Sequence, residues 1–512
     1  STDAMRSSPP PLLRLLLAAY AAASLPLRTA ASRVQASSTS QLASTAGVTR
    51  PTAITASTRG GLLGRHDRRR AVLSQAAGAA LGLAASAPPA SAALTKESEW
   101  PLWLALPVAP YSRRKTIRRE VGPGVWAFDQ LIGIYYVHVP IRMTVVKMES
   151  GGLLVYAPVA PTKECLSLLQ PLIDAHGPVK TIILPSVAVE HKVNAGPFAR
   201  AFPAADFYAV DQQYSFPLPL PAVFLGLPSW TKPLPRSSEG LDATWLGGEF
   251  EHAVLTVKPG PGSYFQDVAL YHRPSKTLLL CDAVLSVTEE PPPILTSDPE
   301  YVRALLFHAR DDPLELVADT AANRRKGWRR IVLLFNFFIP GATQADIGLK
   351  PLLALDPTFE LGWGGWQPFT WRAASEEASF ARYSANGRPT LLPIIQIILN
   401  RGVADGSLRR WVSTVQRWDF ERVVPAHLDA PIALGPAQFA EPFDFARDGG
   451  NEVRFCDEDV ALLREAEKGP LSFSVGTTAL GPLTGAECAL GNSNPRIVSA
   501  PGWTPLTGGL KW

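Results

Sequence analysis

Four side chains that can bind a metal ion come directly after apolar stretches that we predict to be β-strands. They are Glu190, His191, Asp282 and His427. Strand ends are positions where a rigid sheet can hold ligands in place while leaving room for solvent. Two imidazoles and two carboxylates suit Zn, Fe or Mn. The four residues are therefore a candidate site for one of these metals.

The same residues also have ordinary structural interpretations. Glu190 and His191 can form a polar pair where a strand ends, without any ion. Asp282 can cap a turn, and His427 can hydrogen-bond a backbone carbonyl. Among the other histidines, His252 lies 30 positions before Asp282 and has a weaker claim to be a ligand. Both interpretations stay open on the residues alone.

No motif for a different chemistry competes with this site. The sequence contains no G-x-S-x-G, no P-loop and no G-x-G-x-x-G that opens a helix. The glycine-containing stretch 260–263 lacks the lysine and the following helix that a phosphate-binding loop needs. Acyl-enzyme and nucleotide chemistry are therefore not indicated, and no catalytic residue is assigned.

Short strands and a few helices must position these residues. Residues 124–158 predict an antiparallel meander, and residues 163–177 predict a helix with one apolar face that ends at Gly177. Further strands are predicted at 179–186, 205–210, 251–260, 267–285 and 420–427, and further helices at 195–203 and around 301–330 and 395–417. Because the strands arrive as meanders and hairpins as well as crossovers, we predict an α+β fold, an αββα sandwich.

The order of these segments resembles the metallo-β-lactamase superfamily. Its first signature, His-x-His-x-Asp-His, falls on residues 186–191, where Glu190 replaces the Asp and only the last histidine, His191, remains. Its Gly-His motif falls on residues 257–263, where the glycines remain and the histidine is absent. Ser186 and Ala188 stand where the first two histidines would be.

The two later motifs of that superfamily are retained. A bridging Asp in a Leu-x-Gly-Asp context matches Asp282, and a last His in a Val-Val-Pro-Gly-His context matches His427. The losses therefore remove the three histidines of the first of two metal sites and spare all four positions of the second. The resemblance implies either a single-metal site at the four residues named above or the remnant of a site no longer used.

More narrowly, residues 124–445 are similar to a plastid and cyanobacterial family of unknown function, DUF4336-like, with a degenerate metallo-β-lactamase-like domain. The phrases that carry this similarity lie at 151–164, 179–209, 276–285, 327–340 and 418–431. Residues 93–123 are predicted to wrap the domain surface, and residues 446–512 to form an irregular C-terminal extension. An oxidising compartment would allow Cys456 and Cys488 in this extension to pair.

Residues 1–92 have the composition of a targeting segment and are predicted to be disordered. They contain ten arginines, no lysine and only two acids. Arg68, Arg69 and Arg70 precede a small-residue apolar stretch that ends at Ala90-Ser91-Ala92, an A-x-A cleavage site. A transit peptide followed by a twin-arginine signal predicts a chloroplast protein sent to the thylakoid lumen.

The charge of the remaining chain gives no support for a nucleic-acid partner. Residues 93–512 carry 39 bases and 43 acids, a net charge of −4, whereas duplex-binding domains show a basic surplus. A basic cluster at 322–330 could touch anionic lipid, although a solvated helix end is the simpler interpretation. Peripheral contact with the thylakoid membrane or a photosynthetic complex is thus an open partner prediction, and the small-molecule substrate is unknown.

Two functions follow from the resemblance. In the first, the domain lacks the two-metal hydrolase site and acts as a binding or assembly factor in the plastid. In the alternative, a single ion lowers the pKa of a bound water toward about 7, and the resulting hydroxide attacks an ester, thioester or phosphoester. Whether the protein is an enzyme is left open by the sequence.

Overall fold

The computed structural model describes most of the chain between residues 114 and 447. The described residues are 96–98, 100, 114–134, 136–213, 222–260, 263–346, 367, 369–372, 375–447, 455–456, 458–461 and 463. The targeting segment predicted at 1–92 lies outside them. So does Cys488, the predicted partner of Cys456.

The described chain alternates between short strands and helices. The strands are β1 (Ile117–Gly122), β2 (Val125–Ile134), β3 (Val137–Lys147), β4 (Leu153–Tyr156), β5 (Val179–Leu184), β6 (Asp206–Ala209), β7 (Lys232–Pro233), β8 (Phe250–Gly260), β9 (Ser263–His272), β10 (Thr277–Leu280), β11 (Thr343–Ala345), β12 (Phe369–Trp371), β13 (Arg422–Pro425) and β14 (Ile432–Ala433). The helices are α1 (Lys163–His176), α2 (Val189–Ala201), α3 (Pro293–Thr296), α4 (Pro299–His308), α5 (Ala321–Phe337), α6 (Ser375–Ser384), α7 (Pro393–Ala404), α8 (Ser407–Val415) and α9 (Pro436–Ala440).

The strands form two large sheets and one small ribbon. The first sheet has seven strands in sequential order, β1 to β7, antiparallel up to β4 and parallel from β4 onwards. The second has the order β14-β13-β10-β9-β8, in which only β10 and β13 are parallel. Strands β11 and β12 pair separately.

The two large sheets pack face to face around an apolar layer. This layer takes alternate residues from both sheets, among them Leu154, Tyr156, Ile183, Leu270, Leu279 and Val424. The Tyr156 hydroxyl also donates to the Val268 carbonyl across it, at 2.6 Å. The strand residues between these positions, for example Leu153, Val155, Leu278 and Leu280, point outward. They belong to a second apolar cluster that includes helix residues such as Leu169 of α1 and Leu399 of α7. The order of layers is helix, sheet, sheet, helix, so the predicted αββα sandwich is confirmed.

Several predicted elements match the structure closely. The meander is β2 to β4, and the first predicted helix is α1, whose first turn is capped by Thr162 accepting from the Cys165 amide at 3.0 Å. The buried strand predicted at 179–186 is β5. The structure also contains helix α6, for which the sequence analysis predicts no element. The first sheet begins at β1, within the segment predicted to wrap the surface.

Part of the C-terminal extension packs onto the domain. Phe455, Val460 and Leu463 are buried in the outer core, and the Gly341 amide donates to the Asp459 carboxylate at 2.8 Å. Within the described ranges, no helix combines the length and the apolarity needed to cross a membrane.

Candidate metal centre

The four predicted ligands meet at one end of the sandwich. Glu190, His191, Asp282 and His427, called here the four-residue site, each offer a ligand atom, and these atoms all lie within 4.8 Å of one another. The two histidines and Asp282 are buried, whereas Glu190 is half-buried and lies on the open side. Among the described residues, this is the group of histidine, cysteine and acidic side chains that converges tightly enough to hold an ion.

Asp282 and His427 come together because their strands are parallel neighbours. The register of β10 and β13 pairs Leu280 with Pro425. Each ligand lies two residues beyond its member of this pair, so the two side chains leave the sheet at equivalent positions. A β-bridge between Ile141 and His427 then joins this end of the second sheet to the first.

Glu190 and His191 reach the site from a helix, which corrects one prediction. The sequence predicts that both residues directly follow an apolar strand and that the next helix starts at 195. The strand β5 instead ends at Leu184, and α2 begins at Val189. Pro185 explains the difference, because it lacks the N–H that would continue the ladder. Both side chains therefore lie in the first turn of α2.

The spacing of three ligand atoms matches that around a tetrahedral ion. The Nε2 atoms of His191 and His427 lie 3.1 Å apart. Asp282 Oδ1 lies 3.2 Å from the His427 Nε2 and 3.9 Å from the His191 Nε2. Ligands at 2.0 to 2.1 Å from a tetrahedral Zn²⁺ are separated by about 3.3 Å. The triangle thus has nearly the dimensions that coordination requires.

The protonation of His427 also calls for a cation between these atoms. Its Nδ1 lies 2.9 Å from the Pro140 carbonyl oxygen. Since a carbonyl only accepts, Nδ1 carries a hydrogen, and in the neutral ring Nε2 then carries a lone pair. That lone pair faces the Asp282 carboxylate, another acceptor. A proton or a metal ion between the two acceptors removes their repulsion.

The pKa values of Asp282 and His427 also show that the two groups favour opposite charges. Burial alone would raise the pKa of the Asp282 carboxyl, but the hydrogen bonds and charges of His191 and His427 outweigh burial and hold it well below its ordinary value. Burial alone would lower the pKa of His427, yet the Asp282 carboxylate and the charge of Glu190 raise it above its ordinary value. The site therefore stabilises positive charge on the imidazole side and negative charge on the carboxylate.

Two residues outside the predicted set orient Asp282. The Ser186 hydroxyl donates to Asp282 Oδ2 at 3.1 Å, which leaves Oδ1 for the histidines. The carboxylate of Asp267, in β9, accepts from the amides of residues 281, 282 and 283 at 3.1, 2.7 and 2.6 Å. Burial and the negative charge of Asp282 raise the pKa of Asp267 to about 7. In the sequence, the only sign of this supporting role of Asp267 is an acidic residue within the apolar strand β9.

The positions of the absent first site hold no imidazole. Ser186 is fully buried and makes the hydrogen bond to Asp282 described above. The stretch that aligns with the Gly-His motif forms the β8–β9 hairpin, in which Gly260 pairs with Ser263. Ser186 thus acts here as a hydrogen-bond donor to Asp282 Oδ2.

Glu190 differs from the other three members of the site. Its carboxylate makes no hydrogen bond or ion pair with any described residue. The side-chain amide of Asn194 donates instead to the main-chain carbonyl oxygen of Glu190, at 3.0 Å. Lys192 lies in the same helical turn and is likewise without an ion pair among the described residues. Burial lowers the pKa of Lys192 to about 8, although the charge of Glu190 opposes this. Among the described residues, neither side chain is held by an ion pair, and the charge of Glu190 acts on Lys192.

The basic cluster at 322–330 lies in the first part of α5 and is matched by acids. Its ion pairs join Arg324 to Asp319, Arg325 to Glu290, Lys326 to Asp311, Arg329 to Glu289 and Glu377, and Arg330 to Asp311 and Glu376. The cluster thus has partners within the domain itself.

Comparison with known families gives one match. The family described as "Domain of unknown function (DUF4336)" matches residues 123–445, which contain the whole four-residue site. No curated protein is significantly similar to the chain in sequence.

Comparison with solved structures gives relatives of low sequence identity. The DIM-1 metallo-β-lactamase has 11% identity and a TM-score of 0.26, over 37% of this chain and 81% of that chain. A putative diflavin flavoprotein fragment from Nostoc sp. PCC 7120 has 15% identity and a TM-score of 0.27, over 37% and 75%. A flavoprotein from Thermotoga maritima has 9% identity and a TM-score of 0.33, over 65% and 62%.

Proposed function

The chain belongs to the DUF4336 family of domains of unknown function, and we propose that it binds one divalent metal ion at the four-residue site and uses it for hydrolysis. The observation that carries this proposal is the triangle formed by the Nε2 atoms of His191 and His427 with Asp282 Oδ1, whose sides are 3.1, 3.2 and 3.9 Å. Two imidazoles with carboxylates suit Zn, Fe or Mn.

The residues present fit such an ion. His427 is held in the tautomer that leaves Nε2 free, and Ser186 turns one oxygen of Asp282 toward the histidines. A divalent ion held there would lower the pKa of a bound water toward about 7. Glu190, on the open side, is placed to accept a proton from the attacking water. The substrate in this proposal is an ester, thioester or phosphoester, and the charge of Lys192, which interacts with that of Glu190, would favour one that carries an anionic group.

The position of Glu190 also supports a second candidate, a metal-bearing binding or assembly factor without catalysis. Catalytic zinc sites keep three protein ligands and one open position, whereas four protein ligands close a structural site. If Glu190 coordinates the ion, the site is closed and hydrolysis is prevented. If Glu190 stays outside the coordination shell, the position remains open for water.

Metal analysis combined with a substrate panel tests the proposal. The full chain is loaded with Zn, Mn or Fe, freed of excess metal, and assayed for metal content and for hydrolysis of model esters, thioesters and phosphoesters. We expect one metal per chain and hydrolysis of one class. A metal content below about 0.1 per chain after loading would contradict metal binding. Stoichiometric metal without hydrolysis would support the binding factor.

We also propose the thylakoid lumen of the chloroplast as the location, with peripheral contact to the thylakoid membrane or to a photosynthetic complex. The support is the arginine-rich, acid-poor composition of residues 1–92 and the A-x-A motif at Ala90-Ser91-Ala92. Sequencing the N-terminus of the mature protein tests this. A terminus near Ala93 is expected, and a terminus far from it would contradict a lumenal location.

A further inference from the structure

The ligands of the four-residue site come from both sheets of the sandwich. His191 follows β5 of the first sheet, whereas Asp282 and His427 follow β10 and β13 of the second. Metal coordination tolerates only about 0.2 Å in ligand distance. Whatever fixes the two sheets relative to each other at this end therefore also sets the geometry of the site.

One buried arginine of the first sheet forms hydrogen bonds with the segment that carries His427. Arg142, in β3, is 1% exposed. Its Nη1 donates to the Pro425 carbonyl at 2.6 Å and its Nη2 to the Leu428 carbonyl at 2.8 Å. Its backbone amide donates to the Ala426 carbonyl at 2.7 Å. The guanidinium thus holds the chain on both sides of His427.

An acid and a second arginine extend this hydrogen-bond network. Asp129, in β2, accepts from Arg142 Nε at 2.6 Å and from Arg119 Nε at 2.9 Å. Arg119, in β1, also donates to the Ala430 carbonyl at 3.0 Å. Asp129 provides the negative charge that allows Arg142 to be buried, and it fixes the plane of the guanidinium.

We propose that Arg142 is a positioning residue for the metal site: its guanidinium sets the place of the His427 imidazole by holding the carbonyls of Pro425 and Leu428. This inference rests on the proposed metal binding. Lysine cannot replace arginine here, because an ammonium is a point charge and cannot hold two carbonyls and a carboxylate in one plane. A role confined to stability would affect folding but leave the affinity of the folded protein for metal unchanged.

The chain offers a matched control in Arg330, which is also 1% exposed and held in α5. Arg330 Nη1 donates to the carbonyls of His308 and Arg310 at 3.1 and 2.6 Å, and its Nη2 pairs with Glu376 at 3.2 Å. It has the same kind of contacts, but none of them is with the segment that carries a ligand. Arg142→Lys and Arg330→Lys can therefore be compared at similar losses of stability.

The experiment measures Zn²⁺ affinity of the full chain, by competition with a chromophoric chelator, together with the thermal midpoint of each metal-free variant. We expect Arg142→Lys to weaken Zn²⁺ binding by about 10- to 100-fold and Arg330→Lys to leave it within about 3-fold. Equal affinities of Arg142→Lys and the unsubstituted chain would overturn the proposal. If Arg142→Lys does not fold, Arg119→Gln can be used instead, because it removes only the contacts of Arg119 with Asp129 and the Ala430 carbonyl. This variant should still weaken Zn²⁺ binding measurably. An unchanged Zn²⁺ affinity of Arg119→Gln would also overturn the proposal.

A second readout does not depend on metal. The chain has eight histidines, so histidine-selective isotope labelling gives a simple NMR spectrum, in which His427→Gln assigns the His427 imidazole. In the metal-free protein, Arg142→Lys should shift or broaden this signal, whereas Arg330→Lys should not. If the unsubstituted chain binds no metal, the proposed function fails, and this spectrum alone decides whether Arg142 positions His427. An unchanged His427 signal would overturn the positioning role.

Discussion

Both ends of the second sheet hold a buried histidine near a carboxylate, and only one end has the features of a metal site. At one end His427 lies beside Asp282; at the other His272 lies beside Glu249. Strand β10 runs from the His272 end, where Thr277 pairs with His272, toward Asp282. Five residues of extended chain separate Thr277 from Asp282, a distance of about 17 Å.

At the His272 end, the histidine and the carboxylate each contact neighbouring groups of the protein. His272 Nδ1 lies 2.7 Å from the Ser275 hydroxyl, and its Nε2 lies 3.5 Å from Glu249 Oε2. The Glu249 carboxylate also accepts from the amides of Glu149 and Ser150 at 2.7 and 2.9 Å. The Glu249 carboxylate therefore has backbone donors of its own.

At the His427 end, by contrast, three atoms that can ligate a metal converge. Two imidazole nitrogens and one carboxylate oxygen face one another across 3.1 to 3.9 Å. The pKa values follow this difference. Burial lowers the pKa of His272, although Glu249 opposes it, and burial lowers that of His252 as well. The pKa of His427 is raised despite burial. Convergence of acceptors, rather than burial beside an acid, therefore distinguishes the candidate metal centre.

The largest expected effect tests the two histidines directly. His427→Ala removes one corner of the ligand triangle and should weaken Zn²⁺ binding by more than about 100-fold, beyond the effect of losing a supporting residue. The matched change His272→Gln should leave the affinity unchanged. Isothermal titration calorimetry of both variants measures this. Equal losses in the two variants would remove the distinction between the ends.

The second expected effect concerns Glu190, the acid that is free at the site end. Glu190→Gln removes the proton acceptor but keeps the size of the side chain, so hydrolysis should fall by about 100-fold or more. Because the other three ligands remain, we expect metal content to stay near one per chain. Hydrolysis assays and metal analysis on the same preparation check this. Loss of the metal would instead identify Glu190 as a required ligand and favour the closed site.

A smaller effect is expected from the hydroxyls that support each end. Ser186→Ala removes the donor to Asp282 Oδ2 and should weaken metal binding by about 10-fold, as other changes behind metal ligands do. Ser275→Ala removes the corresponding contact of His272 and should leave metal binding unchanged. Chelator competition measures both variants. An unaltered affinity in Ser186→Ala would show that this hydroxyl does not orient the carboxylate.

The smallest effect lies in the pH dependence of the metal-free protein. His427 has a folded pKa above its unfolded value, so its contribution to stability is full at low pH and is lost as pH rises through the folded pKa. For His252 and His272 the folded pKa is lowered, so their contribution is full above the unfolded value and is lost as pH falls. NMR titration should therefore find His427 still protonated at a pH where the other two are neutral. The reverse order would contradict the electrostatic account.

Sequence motifs could single out the four residues that converge in the structure because two of them, Asp282 and His427, directly follow strands. The apolar runs before Asp282 and His427 mark β10 and β13, and both residues match motifs of known spacing. The start of α2 was missed because residues 185–188 read as a continuation of an apolar strand, although Pro185 was the signal for its end.

The supporting contacts could not be predicted in the same way. Arg142 lies 283 residues from Pro425 in sequence, and nothing local shows that its guanidinium meets that carbonyl. Asp267 was visible only as an acid within an apolar strand, and its three amide partners depend on how β9 and β10 pair. Such contacts arise from the packing of the two sheets rather than from local patterns.

The most direct test of the account is a crystal structure of the Zn²⁺-loaded full chain with anomalous diffraction at the zinc edge. We predict one zinc ion at about 2.0 to 2.2 Å from the Nε2 atoms of His191 and His427 and from Asp282 Oδ1. Two ions at this end, or an ion at the His272 end with none between His191 and His427, would contradict it.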